Sequence, residues 1–126
     1  MITPQFYSER SVAPYSSLLL IKPINVVTIL VMQNDFFEWD DDKAETNLRK
    51  HGVSFDEACT AVFDDFAVTF KDERENYGED RYFTIGESSR GRLLAVIWTP
   101  RNNRYRLISS FKPDKQQRKE YDKQRH

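Results

Sequence analysis

The stretch RYFTIGESSRGRLLAVIWTPRNNRYRLISSF, residues 81–111, decides the fold. Apolar and polar residues alternate at its two ends, and its middle is an almost continuous apolar run. Alternation is typical of a half-buried strand, and an apolar run is typical of a central strand. The short polar segments between them have turn-forming residues. We therefore predict an antiparallel meander with strands at 81–87, 92–99 and 104–111.

Helix signals precede the meander in FFEWDDDKAETNLRKHGVSFDEA, residues 36–58. Residues 36–39 predict a short strand, and the aspartates that follow offer an N-cap and acidic charge for a helix N-terminus. We predict a helix from about Asp41 to His51, because Gly52 supplies the left-handed residue that commonly ends a helix. The inner face of this helix is predicted to carry Ala44, Leu48 and His51.

A second helix is predicted after Ser54, because Ser54 and Glu57 match a capping box. Its apolar face carries Phe55, Ala58, Cys59, Val62 and Phe63. A strand at 66–70 and a mostly polar helix at 114–125 complete the order β-α-α-β-β-β-β-α. The predicted fold class is α+β: an antiparallel sheet of about four strands, with two N-terminal helices packed on one face and a C-terminal helix.

Composition divides the 126-residue chain into two parts. Residues 1–31 hold only three charges and three of the five prolines. We expect them to be an N-terminal extension that need not belong to the natural protein, and residues 32–126 to form one domain that begins at Met32. The apolar run at 18–31 is too short to span a bilayer, so no membrane segment is expected.

The single cysteine, Cys59, indicates a reduced compartment, since it cannot form an internal disulfide. It stands among apolar residues at helical spacing, which favours a small buried side chain over a nucleophile. No Cys/His spacing matches a zinc site. We therefore expect a cytoplasmic protein without a metal or another cofactor.

Charge is distributed unevenly along the chain. Residues 35–80 carry fifteen acidic and five basic side chains, whereas residues 81–126 carry twelve basic and four acidic ones. Such asymmetry suits a polyanion as the partner of the basic half, and nucleic acid is the commonest polyanion. The alternative is ordinary solvated surface charge.

Alternation predicts which face of the sheet is open. On the last strand it directs Tyr105, Leu107, Ser109 and Phe111 toward the helices, and Arg104, Arg106, Ile108 and Ser110 away from them. By the same rule Phe83 and Ile85 point to the core, while Tyr82 and Thr84 point outward. The open face therefore carries arginines beside a tyrosine, with Lys112 next to them. This combination predicts a surface that binds a phosphodiester backbone.

Three segments together resemble the BrnT toxin family of bacterial type II toxin–antitoxin systems. They are FEWDDDKAETNLRKHGVSFDEA, VFDD and RYFTIGESSRGRLLAVIWTPRNNRYRLISS, within about residues 36–121. The resemblance implies a RelE-like ribonuclease that inhibits translation by cutting RNA without a metal. It also implies a partner, a BrnA-type antitoxin with a ribbon-helix-helix part that binds operator DNA.

One position departs from the family pattern. Members usually read I-S-A-R where this chain reads Ile108-Ser109-Ser110-Phe111. An arginine able to bind phosphate is thus replaced by Phe111, and a neighbouring lysine does not reproduce its bidentate fork. This keeps a second hypothesis open: a catalytically degenerate, toxin-like module that engages only an antitoxin or nucleic acid.

Metal-free RNA cleavage needs a base for the 2′-hydroxyl, cations for the phosphorane and an acid for the leaving oxygen. For these tasks we predict a catalytic set of Arg81, Arg106, His51 and Glu57, and an RNA-binding set of Arg104, Lys112 and Tyr82. Each has a structural alternative: surface ion pairs for the arginines, capping or packing for His51, and the capping box for Glu57. Glu79 is a further acid–base candidate, and Trp98 is expected in the core.

Overall fold

A computed structural model of the protein describes residues 35–125. The predicted N-terminal extension at 1–31 and the predicted start at Met32 lie outside these residues. Within residues 35–125 no helix is long and apolar enough to cross a membrane.

The elements follow the predicted order along the chain. They are β1 (Phe37–Glu38), α1 (Asp41–His51), α2 (Phe55–Val62), β2 (Val68–Lys71), β3 (Tyr82–Glu87), β4 (Leu93–Arg101), β5 (Arg104–Phe111) and α3 (Lys115–Arg125). Local signals set several ends. The Asp40 side chain accepts hydrogen bonds from the amides of Asp42 and Lys43, and Gly52 ends α1 at φ 70°.

The sheet has five strands in the order β1-β5-β4-β3-β2. Strands β2 to β5 form an antiparallel meander, whereas β1 pairs in parallel with β5. The prediction of an antiparallel sheet of about four strands is therefore corrected to a mixed, five-stranded one. The pairing of β1 joins residues 68 positions apart, and a two-residue strand has no periodicity from which its partner can be read.

Helices α1 and α2 pack on one face of the sheet, called here the first face. The predicted apolar face of α2 is confirmed, since all five of its residues are buried. The predicted inner face of α1 is wrong in part: Leu48 is 51% exposed, His51 is exposed, and Asn47 is the buried residue. Because α1 lies against β5 near the sheet edge, its buried side chain meets backbone as well as apolar groups.

Helix α3 packs on the opposite, second face, against β2 and β3. The apolar residues accordingly form two clusters. The first-face cluster includes Phe37, Phe55, Leu94, Val96, Trp98, Tyr105 and Leu107, and the second-face cluster contains Val68, Phe70, Phe83, Ile85, Ile97 and Tyr121. The core position of Trp98 is confirmed.

The predicted facing of β3 is wrong in part: Phe83 and Ile85 are buried as predicted, but not beneath the first two helices. Tyr82 pairs with Trp98, and Trp98 pairs with Leu107, so Tyr82 and Thr84 lie on the first face. Phe83 and Ile85 lie on the second face, beneath α3. Both faces of the sheet are apolar at this strand, and alternation alone does not say which face the first two helices cover.

A β-bulge in β5 interrupts its alternation. Ile97 pairs with Ser109 and Trp98 pairs with Leu107, which leaves Ile108 as the extra residue. Beyond the bulge the facing changes, so Ser110 is fully buried rather than open as predicted. Phe111, predicted to face the first two helices, instead packs against the second-face cluster, whereas Ile108 packs there as predicted. Arg104 and Arg106 precede the bulge and remain on the second face as predicted.

Candidate functional site

Four arginines, called here the arginine group, lie at the end of the second face away from the apolar cluster. Arg104 and Arg106 project from β5, Arg101 pairs with Arg104 across the hairpin, and Arg81 immediately precedes β3. The exposed fractions of these side chains range from 25% for Arg81 to 49% for Arg101. The guanidinium groups are therefore supported by the sheet and still reachable from solvent.

Two glutamates hold the arginine group in place. Glu38 of β1 lies 3.6 Å from Arg104 and 3.3 Å from Arg106, and its side chain is 17% exposed. Glu79 lies 3.0 Å from Arg81 and 3.6 Å from Arg101. Each carboxylate thus bridges two guanidinium groups and limits their motion. The six side chains together carry a net charge of +2, which leaves an attraction for anions.

Arg81 also rests on an aromatic ring, since its guanidinium carbon lies 4.2 Å from the ring centre of Tyr77. The Tyr77 hydroxyl donates to buried Asp72, which accepts two more bonds from the Arg74 guanidinium. Burial alone would raise the pKa of Asp72, but the bonds from Arg74 hold it below its usual value. These bonds stabilise the loop between β2 and β3 on which Arg81 rests.

The geometry suits an anion with several oxygens. Guanidinium groups bind phosphate through two parallel hydrogen bonds, and donors that are held in place need little rearrangement when negative charge develops. Arg81, Arg104 and Arg106, which were predicted from sequence, come together here. Their partner Glu38 and the fourth arginine, Arg101, were missed, although the alternation of FEWD directs Glu38 away from the core.

His51 lies elsewhere. It ends α1, and its ring centre is 5.6 Å from that of Phe111. Phe111 is five residues beyond Arg106 on β5, which corresponds to about 17 Å of strand. Lys112 is exposed just past the end of β5. Neither His51 nor Lys112 therefore adjoins the arginine group.

Tyr82 lies on the first face, where its ring stacks on Trp98 with the ring centres 4.9 Å apart. It is partly buried and belongs to the rim of the first-face cluster. The sheet therefore separates the Tyr82 ring from the arginine group.

Glu57 is buried at the start of α2 and joins that helix to the β3–β4 turn. Half of the predicted capping box is present, since the Glu57 amide donates to the Ser54 hydroxyl at 3.0 Å. The Glu57 carboxylate instead accepts hydrogen bonds from the Arg92 guanidinium and the Ser88 hydroxyl. The bond from Arg92 is the main reason that the pKa of Glu57 is lowered, against the opposing effect of burial.

The fold and the arginine group define a class: a small α+β protein with a rigid cationic surface suited to a phosphodiester. The family model described as "Ribonuclease toxin, BrnT, of type II toxin-antitoxin system" matches residues 39–117, which is more than half of the chain. The chain belongs to the BrnT family, whose members are ribonuclease toxins of type II toxin–antitoxin systems.

Among solved structures, the chain is similar to the Brucella abortus ribonuclease toxin BrnT, known from a 1.1 Å crystal structure. The two are 25% identical, the match covers 64% of this chain and 99% of that one, and the TM-score is 0.49. No curated protein matches the chain.

Proposed function

We propose that this protein is an endoribonuclease that inhibits translation by cutting RNA at the arginine group. In this reaction a ribose 2′-hydroxyl loses its proton and attacks the adjacent phosphorus. The 5′-oxygen leaves with a proton, and a 2′,3′-cyclic phosphate remains. Family membership supports the activity. The location of the site is supported by the Glu38 and Glu79 carboxylates, each of which bridges two arginines.

The arginines supply the electrostatic part of catalysis. As the phosphorane forms, Arg81 and Arg106 bind its non-bridging oxygens, and Arg104 holds a neighbouring phosphate. A guanidinium has five N–H donors, so a phosphate oxygen can bind the donors of Arg106 that Glu38 does not occupy. Glu38 and Glu79 are the carboxylates that contact these arginines, and we propose them as candidates to accept the proton of the 2′-hydroxyl.

The roles of the other predicted residues follow from their surroundings. We assign Glu57 a structural role, because both of its oxygens already accept hydrogen bonds from Arg92. His51 lies beside Phe111, about 17 Å of strand from Arg106, which is too far for it to protonate the oxygen that leaves at the arginine group. We therefore propose that it contacts RNA that extends along β5. Lys112 is a proposed contact to a flanking nucleotide, whereas we assign Tyr82, stacked on Trp98 on the first face, a packing role.

An RNA cleavage assay with purified protein tests this function. Arg81→Ala and Arg106→Ala are each expected to slow cleavage roughly a hundredfold or more, the effect typical of losing one donor to the transition-state oxyanion. Arg106→Lys keeps the charge but not the fork, and should recover only part of the rate. Arg118→Ala, an exposed arginine of α3, is the matched control and should cleave like wild type. Equal rates for all four variants would refute the site.

We further propose that a BrnA-like ribbon-helix-helix antitoxin neutralises the protein in the bacterial cytoplasm and alone contacts operator DNA. Covering the arginine group would explain neutralisation directly. Adding the antitoxin should then stop cleavage, and Arg104→Glu should weaken the complex. Tight binding that leaves cleavage untouched would exclude occlusion.

The second candidate function is a toxin-like module that binds without cleaving. It is favoured by Phe111, whose ring packs against the second-face cluster and places no cation at that position. Absence of RNA cleavage by folded wild-type protein that still binds its antitoxin would establish this alternative.

A further inference from the structure

A groove of about 330 Å³ lies between α1 and β5, apart from the arginine group. Ile108 and Ser109 of β5 form one side, and Lys43, Lys50 and His51 of α1 line the other. A volume of this size is at the small end of the range for ligand pockets.

The floor of the groove is rigid. The buried Asn47 amide accepts a hydrogen bond from the Ser110 amide at 3.0 Å and donates one to the Ser110 carbonyl at 2.8 Å, so it pairs with β5 as a neighbouring strand would. It also donates to the Val53 carbonyl at 2.9 Å and accepts from the Ser109 hydroxyl at 3.1 Å. Ile108, the extra residue of the bulge next to these bonds, lines the groove. The concavity is therefore built into the packing of α1 on β5.

The cations of this groove differ from the arginine group in their pairing. Within residues 35–125, neither Lys43 nor Lys50 forms an ion pair, whereas every member of the arginine group has a carboxylate partner. Asp42 also lines the groove, in the first turn of α1 where the helix dipole stabilises its charge. Two unpaired lysines against one aspartate leave the groove cationic. A lysine binds a phosphate as a flexible point charge.

A pair of aromatic rings lies at the His51 end of the groove, where His51 lines the groove and Phe111 lies next to His51. The centres of His51 and Phe111 lie 5.6 Å apart with the ring planes at 47°. His51 is exposed and Phe111 is partly exposed. Exposed rings beside cations are what proteins use to stack an unpaired base while binding its phosphate.

We propose that this groove is a nucleotide subsite for single-stranded RNA, in which Lys43 and Lys50, about two helical turns apart on α1, bind successive phosphates and the His51–Phe111 pair stacks a base. The inference rests on the proposed RNA substrate and adds a second contact region to the arginine group. Ile108 is two residues from Arg106 on β5, about 7 Å of strand, so one RNA strand reaches both. The groove then selects single strands, because a paired base cannot stack on these rings.

Binding of a fluorescent 2′-O-methyl oligonucleotide, measured by anisotropy, tests the subsite. The methyl groups block the attacking hydroxyl, so binding is read without cleavage. Each phosphate contact to a single strand contributes about 0.7 to the slope of log affinity against log salt. The double variant Lys43→Ala/Lys50→Ala should lower that slope by about 1.4. When the salt concentration rises from about 50 to about 200 mM, the affinity of wild type should therefore fall roughly sevenfold more than that of the variant. Lys115→Ala/Lys119→Ala removes the same charge from α3 and should keep the wild-type slope.

Phe111→Leu tests the stacking separately. This substitution should weaken binding about tenfold, which is within the range for loss of one stacked base. With an oligonucleotide of abasic sites, the variant and wild type should bind with the same affinity. Unfolding curves for each variant confirm that it is folded under the assay conditions. An unchanged salt slope in the double lysine variant overturns the proposal, and a fall in antitoxin affinity without a change in RNA binding assigns the groove to the antitoxin instead. Groove-dependent binding by a wild type that does not cleave refutes the proposed activity but not the subsite.

Discussion

Replacing Asn47 by alanine should strongly destabilise the fold. Four hydrogen bonds end on this amide, and three of them go to backbone groups of Val53 and Ser110, which are both fully buried. A buried polar group left without a partner costs about 1–3 kcal/mol, and water entering from the groove offsets part of that. We expect Asn47→Ala to lower the free energy of unfolding by about 4 kcal/mol. That is a large part of the roughly 5–15 kcal/mol typical of a domain.

Urea unfolding followed by far-ultraviolet ellipticity measures this change. Thr46→Ala, at the neighbouring exposed position of α1, is the matched control and should stay within about 0.5 kcal/mol of wild type. Asn47→Asp keeps an acceptor for the Ser110 amide but has no donor for the two carbonyls, so it should be no more stable than the alanine variant. A loss below about 1 kcal/mol in Asn47→Ala would refute the reasoning, because the buried groups would then have found other partners.

Three further predictions concern buried groups. Glu57→Gln should lose about 3 kcal/mol at neutral pH by breaking the buried pair with Arg92. The pKa of Glu57 is lowered in the folded protein, so the ionised side chain stabilises the fold above its usual pKa of 4.5, and this stabilisation is lost as the pH falls below it. The difference in free energy of unfolding between Glu57→Gln and wild type should therefore narrow in acid. Gly86→Ala should cost about 1–3 kcal/mol in thermal unfolding, since a Cβ there would overlap the Ala61 carbonyl; a neutral result would mean that α2 shifts freely. The Cys59 thiol, fully buried and with its pKa raised by burial, should react with a disulfide reagent only after unfolding, and rapid reaction of the native protein would contradict its position.

Much of the secondary structure was predictable because its signals are local. Asp40 and Gly52 bound α1, and Ser54 begins α2, through bonds that span only a few residues. The β4–β5 hairpin forms at Asn102 and Asn103, which adopt φ 53° and 62° as a tight hairpin turn requires. These features do not depend on the rest of the fold.

The candidate site was predictable only in part. The alternation of β5 placed Arg104 and Arg106 on one face, and the family resemblance added weight to them. Their shared partner Glu38 was not found, because the bond from Arg106 to Glu38 joins residues 68 positions apart. His51 lies far along β5 from the arginines, because α1 contacts β5 beyond the bulge, at Ser109 and Ser110.

The sequence by itself determined the helix ends, the meander, the membership in a toxin family and the shared face of Arg104 and Arg106, all through patterns within short segments. Tertiary structure alone decided that β1 joins the sheet in parallel, that Phe83 faces α3, and that Asn47 rather than Leu48 is buried. Each of these depends on which distant segments pair and in what register. Register is set by the packing of the whole domain, so a single strand or helix does not carry the information.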